Sequence, residues 1–299
     1  MHTGSPPPDS QPDRPARSER HPKLEAWRAS LNLCARKASR KRVHDLRIAT
    51  LRLQAALEYR LREQTPNADG VRAVKRWMKH GKRLRRALEP VREADVYLEL
   101  LGSLRDAAPG ADERMSHRSS RCLREIEALE SRLKRRRATA AEALLVEIEE
   151  HRKRLEQRSR EMEKALEPHG TGELAAQTAR PFFDRLAREF AELSGGNLHA
   201  YRKELKTVRY LAETGADVEA VRLAKACRKM LNAAGAWHDW QVLAIEAKRR
   251  FPKRSKEDGL LAVLQKVEED ALRRALDICQ RHAARLLAGS SGNGSAAQP

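Results

Sequence analysis

Seven cations share one face of a single predicted helix: Arg72, Lys75, Arg76, Lys79, Lys82, Arg83 and Arg86, with no acid among them. At about 100° per residue they fill a stripe roughly 120° wide. Val74, Trp77, Leu84 and Leu88 take the opposite face. A solvated helix face normally mixes acids with bases, because like charges at i,i+4 spacing repel. Repulsion left standing in this way points to a polyanionic ligand. Arg grips phosphate oxygens through a planar fork, and Lys through a compact charge.

A second set of the same type begins at Leu198. His199, Arg202, Lys203, Lys206 and Arg209 share one helical face, and Leu205, Val208 and Leu211 the other. The first half echoes it with VHDLRIATLRL, where His44 matches His199 and Arg47 matches Arg202. Leu51 and Gln54 stand in the register of Lys206 and Arg209, with Arg52 beside the stripe. The next helix repeats too. Arg76 matches Arg222, Lys79 matches Lys225, Lys82 matches Arg228 and Arg83 matches Lys229. VREADVYL at 91–98 then matches WHDWQVLA at 237–244. Two basic-faced helices per copy predict a pseudo-twofold assembly whose four basic faces line one groove or pore.

Other chemistries fit less well. No two of the ten histidines are four apart on a helix, and on the basic faces the carboxylates are Glu58 and Glu213. Those two are expected to orient neighbouring cations, and no metal is expected. His44-Asp45 and His238-Asp239 resemble the dipeptide of metal-dependent phosphohydrolases, without the further converging ligands such enzymes need. His238 aligns with Arg92, each read as standing at a helix start, where Asp239 and Glu93 suit the dipole. No glycine-rich phosphate loop or nucleophile motif is present, so no catalytic residue, enzymatic activity or cofactor is expected. Exposed aromatics are few on the basic helices. That favours a phosphate polymer over single-stranded nucleic acid, where stacking platforms are expected. A nucleic-acid-binding helical protein is the alternative. Trp77 and Trp237 are read as core, and Tyr201 and Tyr210 as open.

The elements that must position these groups are helices. The 299 residues carry a formal net charge of +19, hydrophobic residues make up 40% and aromatics 4%. Such a balance suits an anionic partner and a helical bundle. Breaks at TPNADG (65–70), Pro90, APGAD (108–112), EPHGTG (167–172), SGGN (194–197), TGAD (214–217), Gly235 and FPKRS (251–255) cut the chain into nine or ten helical segments. Asn197 and Asp217 suit N-caps, and Pro181 a first helical turn. The segment 111–166 reads as a charged helical hairpin or coiled-coil pair, with Arg135–Arg137 able to reach an anion site. Residues 1–22 and 289–299 read as disordered tails. Cys34, Cys122, Cys227 and Cys279 are far apart and read as reduced core thiols. No apolar run is long enough to cross a membrane, and no secretory core opens the chain. A cytoplasmic protein is expected, its oligomeric state open.

At these residues the chain resembles the CHAD domain, the conserved-histidine α-helical domain. The resemblance rests on the paired V/L-H-x-x-R helices, the basic helix after each, and Val91, Arg92, Asp95 and Val96. It covers about residues 30–288, within a helical region of 23–288 whose repeats span about 30–168 and 173–288. It implies an all-α fold of two twofold-related bundles around a basic central channel. It also implies inorganic polyphosphate as ligand and possible association with polyphosphate granules; no membrane insertion is expected, from the lack of a long apolar run. The residues it assigns to the ligand are His44, Arg47, Arg52, Lys75, Arg76, Lys79, Lys82, Arg83, Arg86, His199, Arg202, Lys203, Lys206, Arg209, Arg222, Lys225, Arg228 and Lys229. The chain departs from the pattern at Leu51 and Gln54, where cations are usual. The acidic triphosphatase segment sometimes fused to such domains is expected to be absent.

Overall fold

In a computed structural model, the described residues are 22–63, 68–107, 117–165, 172–213, 215, 217–252 and 259–291. They form eight helices and no strand: α1 (Pro22–Arg36), α2 (Arg40–Glu63), α3 (Ala68–Asp106), α4 (His117–Ala165), α5 (Gly172–Glu189), α6 (Leu198–Ala212), α7 (Val218–Arg250) and α8 (Gly259–Ser291). The chain is all-α, as the periodicity predicts. None of these helices is long and apolar enough to cross a membrane.

Several predicted breaks are absent. Pro90 lies inside α3, and Gly235 inside α7. Each costs local helix stability, but buried neighbours hold the helix on both sides: Leu88 and Val91 beside Pro90, Ala234 and Trp237 beside Gly235. Arg92 and His238 are therefore mid-helix, and the helix-start reading of Glu93 and Asp239 does not hold. Pro181 is likewise interior to α5. The expected hairpin at 111–166 is instead the single 49-residue helix α4. Its apolar stripe through Leu129, Leu133, Leu144, Ile148 and Leu155 is buried throughout, so nothing favours a turn. α8 continues to Ser291, into the segment read as a tail. The rest of both expected tails lies outside the described residues, apart from Pro22, which opens α1.

Two apolar cores lie in the two halves. One draws on α1–α4, around Trp27, Leu46, Leu53, Trp77, Leu88 and Leu144. There the Trp27 and Trp77 rings meet edge to face at 5.5 Å, and Trp27 Nε1 donates to Thr50 Oγ1 at 3.1 Å. Gly81 packs beside them, and a Cβ there would meet the Trp77 ring at 3.3 Å, so the ring would have to give by a few tenths of an ångström. The other core draws on α5–α8, around Phe183, Tyr201, Val208, Met230, Trp237 and Cys279. Trp77 and Trp237 are core as expected, and the open cases Tyr201 and Tyr210 are buried as well. Cys34, Cys227 and Cys279 are buried free thiols, and Cys122 is a half-buried one.

A third apolar cluster joins the halves. It takes Val96, Tyr97 and Leu101 from α3, Ile126, Leu129 and Leu133 from α4, Leu243 and Ala247 from α7, and Leu260 and Leu264 from α8. Glu125 of α4 fixes the junction by accepting from Leu260 N at 2.9 Å, at the start of α8. Gly259 takes φ +73 there, and its missing Cβ leaves room for Glu125 Oε2. Arg136 and Arg137 serve this framework. Arg137 bonds Asp95 at 3.0 Å and the Ala38 carbonyl at 2.8 Å, and Arg136 pairs with Glu93 and Glu246.

The caps are mixed. Asp217 accepts from Ala220 N at 2.8 Å. Asn197 stands at the α6 N-cap but makes no cap bond. Its side chain instead binds Ser194 N and the Glu192 carbonyl in the preceding turn.

Truncating an edge-to-face ring packed on both sides should be costly. Trp77→Ala is expected to lower unfolding stability by about 3–5 kcal/mol, read from urea denaturation. A loss below about 1 kcal/mol would show that the α1–α4 core does not depend on this ring pair.

Candidate functional site

α2 packs against α6, and α3 touches α7 alongside. This is where charged side chains of all four helices meet. Arg47 of α2 is half-buried and binds Glu89 of α3 through Nη2 at 3.1 Å. Arg202 of α6 lies within electrostatic reach of Asp239, Arg47 and Glu89. Lys206, one turn on, feels Arg202 and Arg47 as well as Glu89 and Asp239. Arg92 of α3 faces Asp239 and Arg47. The centre therefore holds Arg47, Arg92, Arg202 and Lys206 against two carboxylates, Glu89 and Asp239.

Three of these cations, Arg92, Arg202 and Lys206, are poorly compensated. Burial, reinforced by Arg202 and Arg47, holds the Lys206 ammonium down at about 8. Burial also lowers the guanidinium values of Arg202 and Arg92. Asp239 is raised by burial in spite of Arg202, Arg92, Arg47 and Lys206 around it. A half-buried cation with a depressed pKa is one whose lost hydration has not been replaced by counter-charge. An incoming anion would supply that charge.

Three histidines border the cluster. The His199 and His238 rings lie 4.9 Å apart. Burial, Arg202 and His199 push His238 down to about 4. Its Nδ1 is buried without a hydrogen-bond partner. His199 is lowered by partial burial and by Lys203, Arg202 and Lys206. His44 is the more open of the three and is lowered by partial desolvation and Arg92.

The other end of the α2–α6 contact is organised by Glu213, just past α6. It accepts from Arg209 at 2.8 Å and from Arg52 of α2 at 3.1 Å, with Arg228 of α7 at 3.6 Å. Burial opposes ionisation of Glu213, but the bonds from Arg209 and Arg52 hold its carboxyl below the usual range. Glu213 thus orients cations as expected. Glu58 instead accepts from Gln54 at 2.7 Å. Lys23 of α1 reaches the same end; burial lowers it to about 8 against the pull of Glu213. Arg85 of α3 sits among Arg47, Glu58, Glu89 and Tyr210 with Nε unpartnered.

The expected stripes do not all converge. Lys75, Arg76, Lys79, Lys82, Arg83 and Arg86 are exposed along α3. Arg83 is engaged by Glu147 of α4 at 2.6 Å. Arg222, Lys225 and Lys229 turn toward α8, where they meet His282 and Arg285. Lys203 is exposed next to His199. On α3 the residues that reach the centre are Arg85, Glu89 and Arg92, spaced i, i+4, i+7. On α7 they are His238 and Asp239. A break placed at Pro90 separates Arg85 and Glu89 from Arg92 and hides that face. The alignment of Arg92 with His238 is the signal that could have revealed it. Glu147, Glu150 and His151 of α4 bring potential ligand atoms within 4.8 Å of one another, but the Arg83 guanidinium already occupies Glu147.

Replacing the half-buried ammonium should relieve strain in the free protein. Lys206→Met is expected to raise the melting temperature at pH 7. The folded pKa of about 8 is below the ordinary lysine value of 10.5, so folding disfavours the proton. The penalty is full below about pH 8 and fades toward pH 10.5. The variant's gain, followed by thermal denaturation, should shrink over that window. A gain constant from pH 7 to 10.5 would assign it to packing.

The CHAD domain family model matches residues 21–248 of this chain. No curated protein matches it. The match spans α1 to α7 nearly to its end and leaves α8 outside.

Proposed function

The chain belongs to the CHAD domain family, and we propose that it binds inorganic polyphosphate without transforming it. The observation that carries this reading is the surplus of half-buried cations where α2 meets α6: Arg47, Arg92, Arg202 and Lys206 against Glu89 and Asp239. A flexible polymer with one negative charge per phosphate can supply counter-charge to several of them together. It offers no base to stack, and the buried aromatics beside the cluster offer no platform.

The same proposal includes the symmetry. α1–α4 and α5–α8 are read as two pseudo-twofold-related bundles, and the polar seam between α2 and α6 as the basic groove. Arg47 with Arg202, and Arg92 with His238, are the matched pairs across it. In this reading His44, His199 and His238 are phosphate donors at the rim. Lys23, Arg52, Arg209 and Arg228 continue the cationic path toward Glu213. Lys79, Lys82 and Arg86 form an outer approach. The working compartment is the cytoplasm or the surface of a polyphosphate granule.

Affinity for long-chain polyphosphate should exceed that for duplex DNA at one salt concentration, and should fall as salt rises and counterions return. Arg202→Ala or Lys206→Ala should weaken binding by about tenfold or more with unchanged circular dichroism, and more than Arg52→Ala, whose side chain is open to solvent. Equal affinity for DNA, or wild-type binding by both α6 variants, would remove the proposal.

Acid should favour the complex. His44, His199 and His238 are held below their usual pKa in the free protein, so a bound anion that raises them must bind more tightly as pH falls from about 8 toward 6. Imidazole NMR with and without polyphosphate reads this directly. Titrations of all three that stay in place at saturation would leave binding to Arg and Lys alone.

A further inference from the structure

The faces of α3 and α7 turned away from the seam carry matched cations in unmatched surroundings. In the first half α4 pairs one of them with an acid. Arg83 binds Glu147 through both Nε and Nη2, at 2.6 and 3.1 Å, and Arg76 acts on Glu161. In the second half the corresponding residues are Arg222, Lys225 and Lys229. There the packing helix is α8, and it supplies His282 and Arg285 in place of acids. With Ala226 and Leu286, these five bases line a recess of about 220 Å³ that no carboxylate enters. Arg222, Lys225, Lys229 and Arg285 make no ion pair among the described residues. Leu286 is buried beneath them, and Arg180 holds its carbonyl at 2.8 Å, which fixes α8 at this point.

We propose that this α7–α8 recess is a second anion site, distinct from the α2–α6 seam, that takes one or two phosphoryl units of a condensed phosphate. The choice of condensed phosphate rests on the reading above; the recess does not. Its volume is below the roughly 300–1,000 Å³ of drug-sized pockets, which suits a short phosphate run. Arg222 and Arg285 offer planar forks, Lys225 and Lys229 point charges, and His282 an imidazole donor. His282 is depressed by partial burial and by Lys229, Arg285 and Arg281, so it too lacks counter-charge. The path between the two sites is short. Arg228 stands by Glu213 at the end of the seam, and Lys225 of the recess precedes it by three residues, the distance of neighbours on a helix surface. Arg228 thus places a cation between the seam and the recess.

The test follows imidazole resonances of the full chain while sodium tripolyphosphate is added at constant ionic strength, with His282 assigned through His282→Gln. In the wild type both His199 and His282 should shift. Lys225→Gln combined with Lys229→Gln keeps helix propensity. It should move the His282 midpoint up by about tenfold and leave the His199 response in place. Lys206→Ala should do the reverse. A His282 signal that stays still at saturation, or responds identically in the double variant, overturns the recess. A shifting His282 beside a silent His199 supports the recess and removes the seam reading instead. Orthophosphate serves as the second probe. If it binds the recess as tightly as tripolyphosphate does, the site takes a single phosphate and the condensed-phosphate assignment fails.

Discussion

Like charges held half out of water are the constraint on which the rest of the structure depends. Arg47, Arg92, Arg202 and Lys206 repel one another, and for Arg92, Arg202 and Lys206 burial weakens hydration without a matching gain in counter-charge. Nothing local would keep them together. They stay because each belongs to a helix whose other face is committed to an apolar core: Leu46 and Leu53 of α2, Leu88 and Val91 of α3, Leu205 and Val208 of α6. Burial of a Leu or Val side chain is worth about 1.5–3 kcal/mol. Several per helix outweigh a repulsion that Glu89, Asp239 and Glu213 already reduce. Those acids set how much charge remains. Glu213 saturates the far end with Arg209 and Arg52, whereas Asp239 is shared among four cations and satisfies none completely.

The sequence showed the core clearly and the seam only in part. Apolar spacing identified Trp77, Leu84, Leu88, Leu205, Val208 and Leu211 as buried, because burial leaves a periodic trace within one helix. The repeat brought out His44 and His199 and their basic successors for the same reason. What escaped is what depends on contact between helices. Arg85 and Arg222 look alike along the chain, yet one reaches the α2–α6 seam and the other faces α8. Pro90 and Gly235 are breakers by propensity, and tertiary packing overrides them. That single error divided the α3 face that reaches the seam. The length of α4 was hidden too, since a charged stripe of this kind suits a hairpin or one rod equally until its packing partners are known.

The halves also differ in how they treat surplus charge. α4 brings Glu147 and Glu161 to the outer face of α3, while α8 brings His282 and Arg285 to the outer face of α7. Matched stripes therefore meet unlike supporting helices, one bringing a carboxylate to Arg83 and the other bringing bases to Arg222, Lys225 and Lys229.

Helix α4 has a mechanical consequence. At 1.5 Å per residue its 49 residues form a rod about 73 Å long. It is gripped by α3 along its length and by α8 near its start. The greasy joint of Val96, Leu101, Leu129, Leu133, Leu243 and Leu264 lies at that same end, and the Arg52–Glu213 bond closes the opposite end of the seam at 3.1 Å. The two halves are thus tied at both ends of the seam, by apolar packing at one and by an ion pair at the other. Parting the halves at that end would strip Arg52 from a carboxylate only 15% exposed, which costs more than breaking an open surface pair.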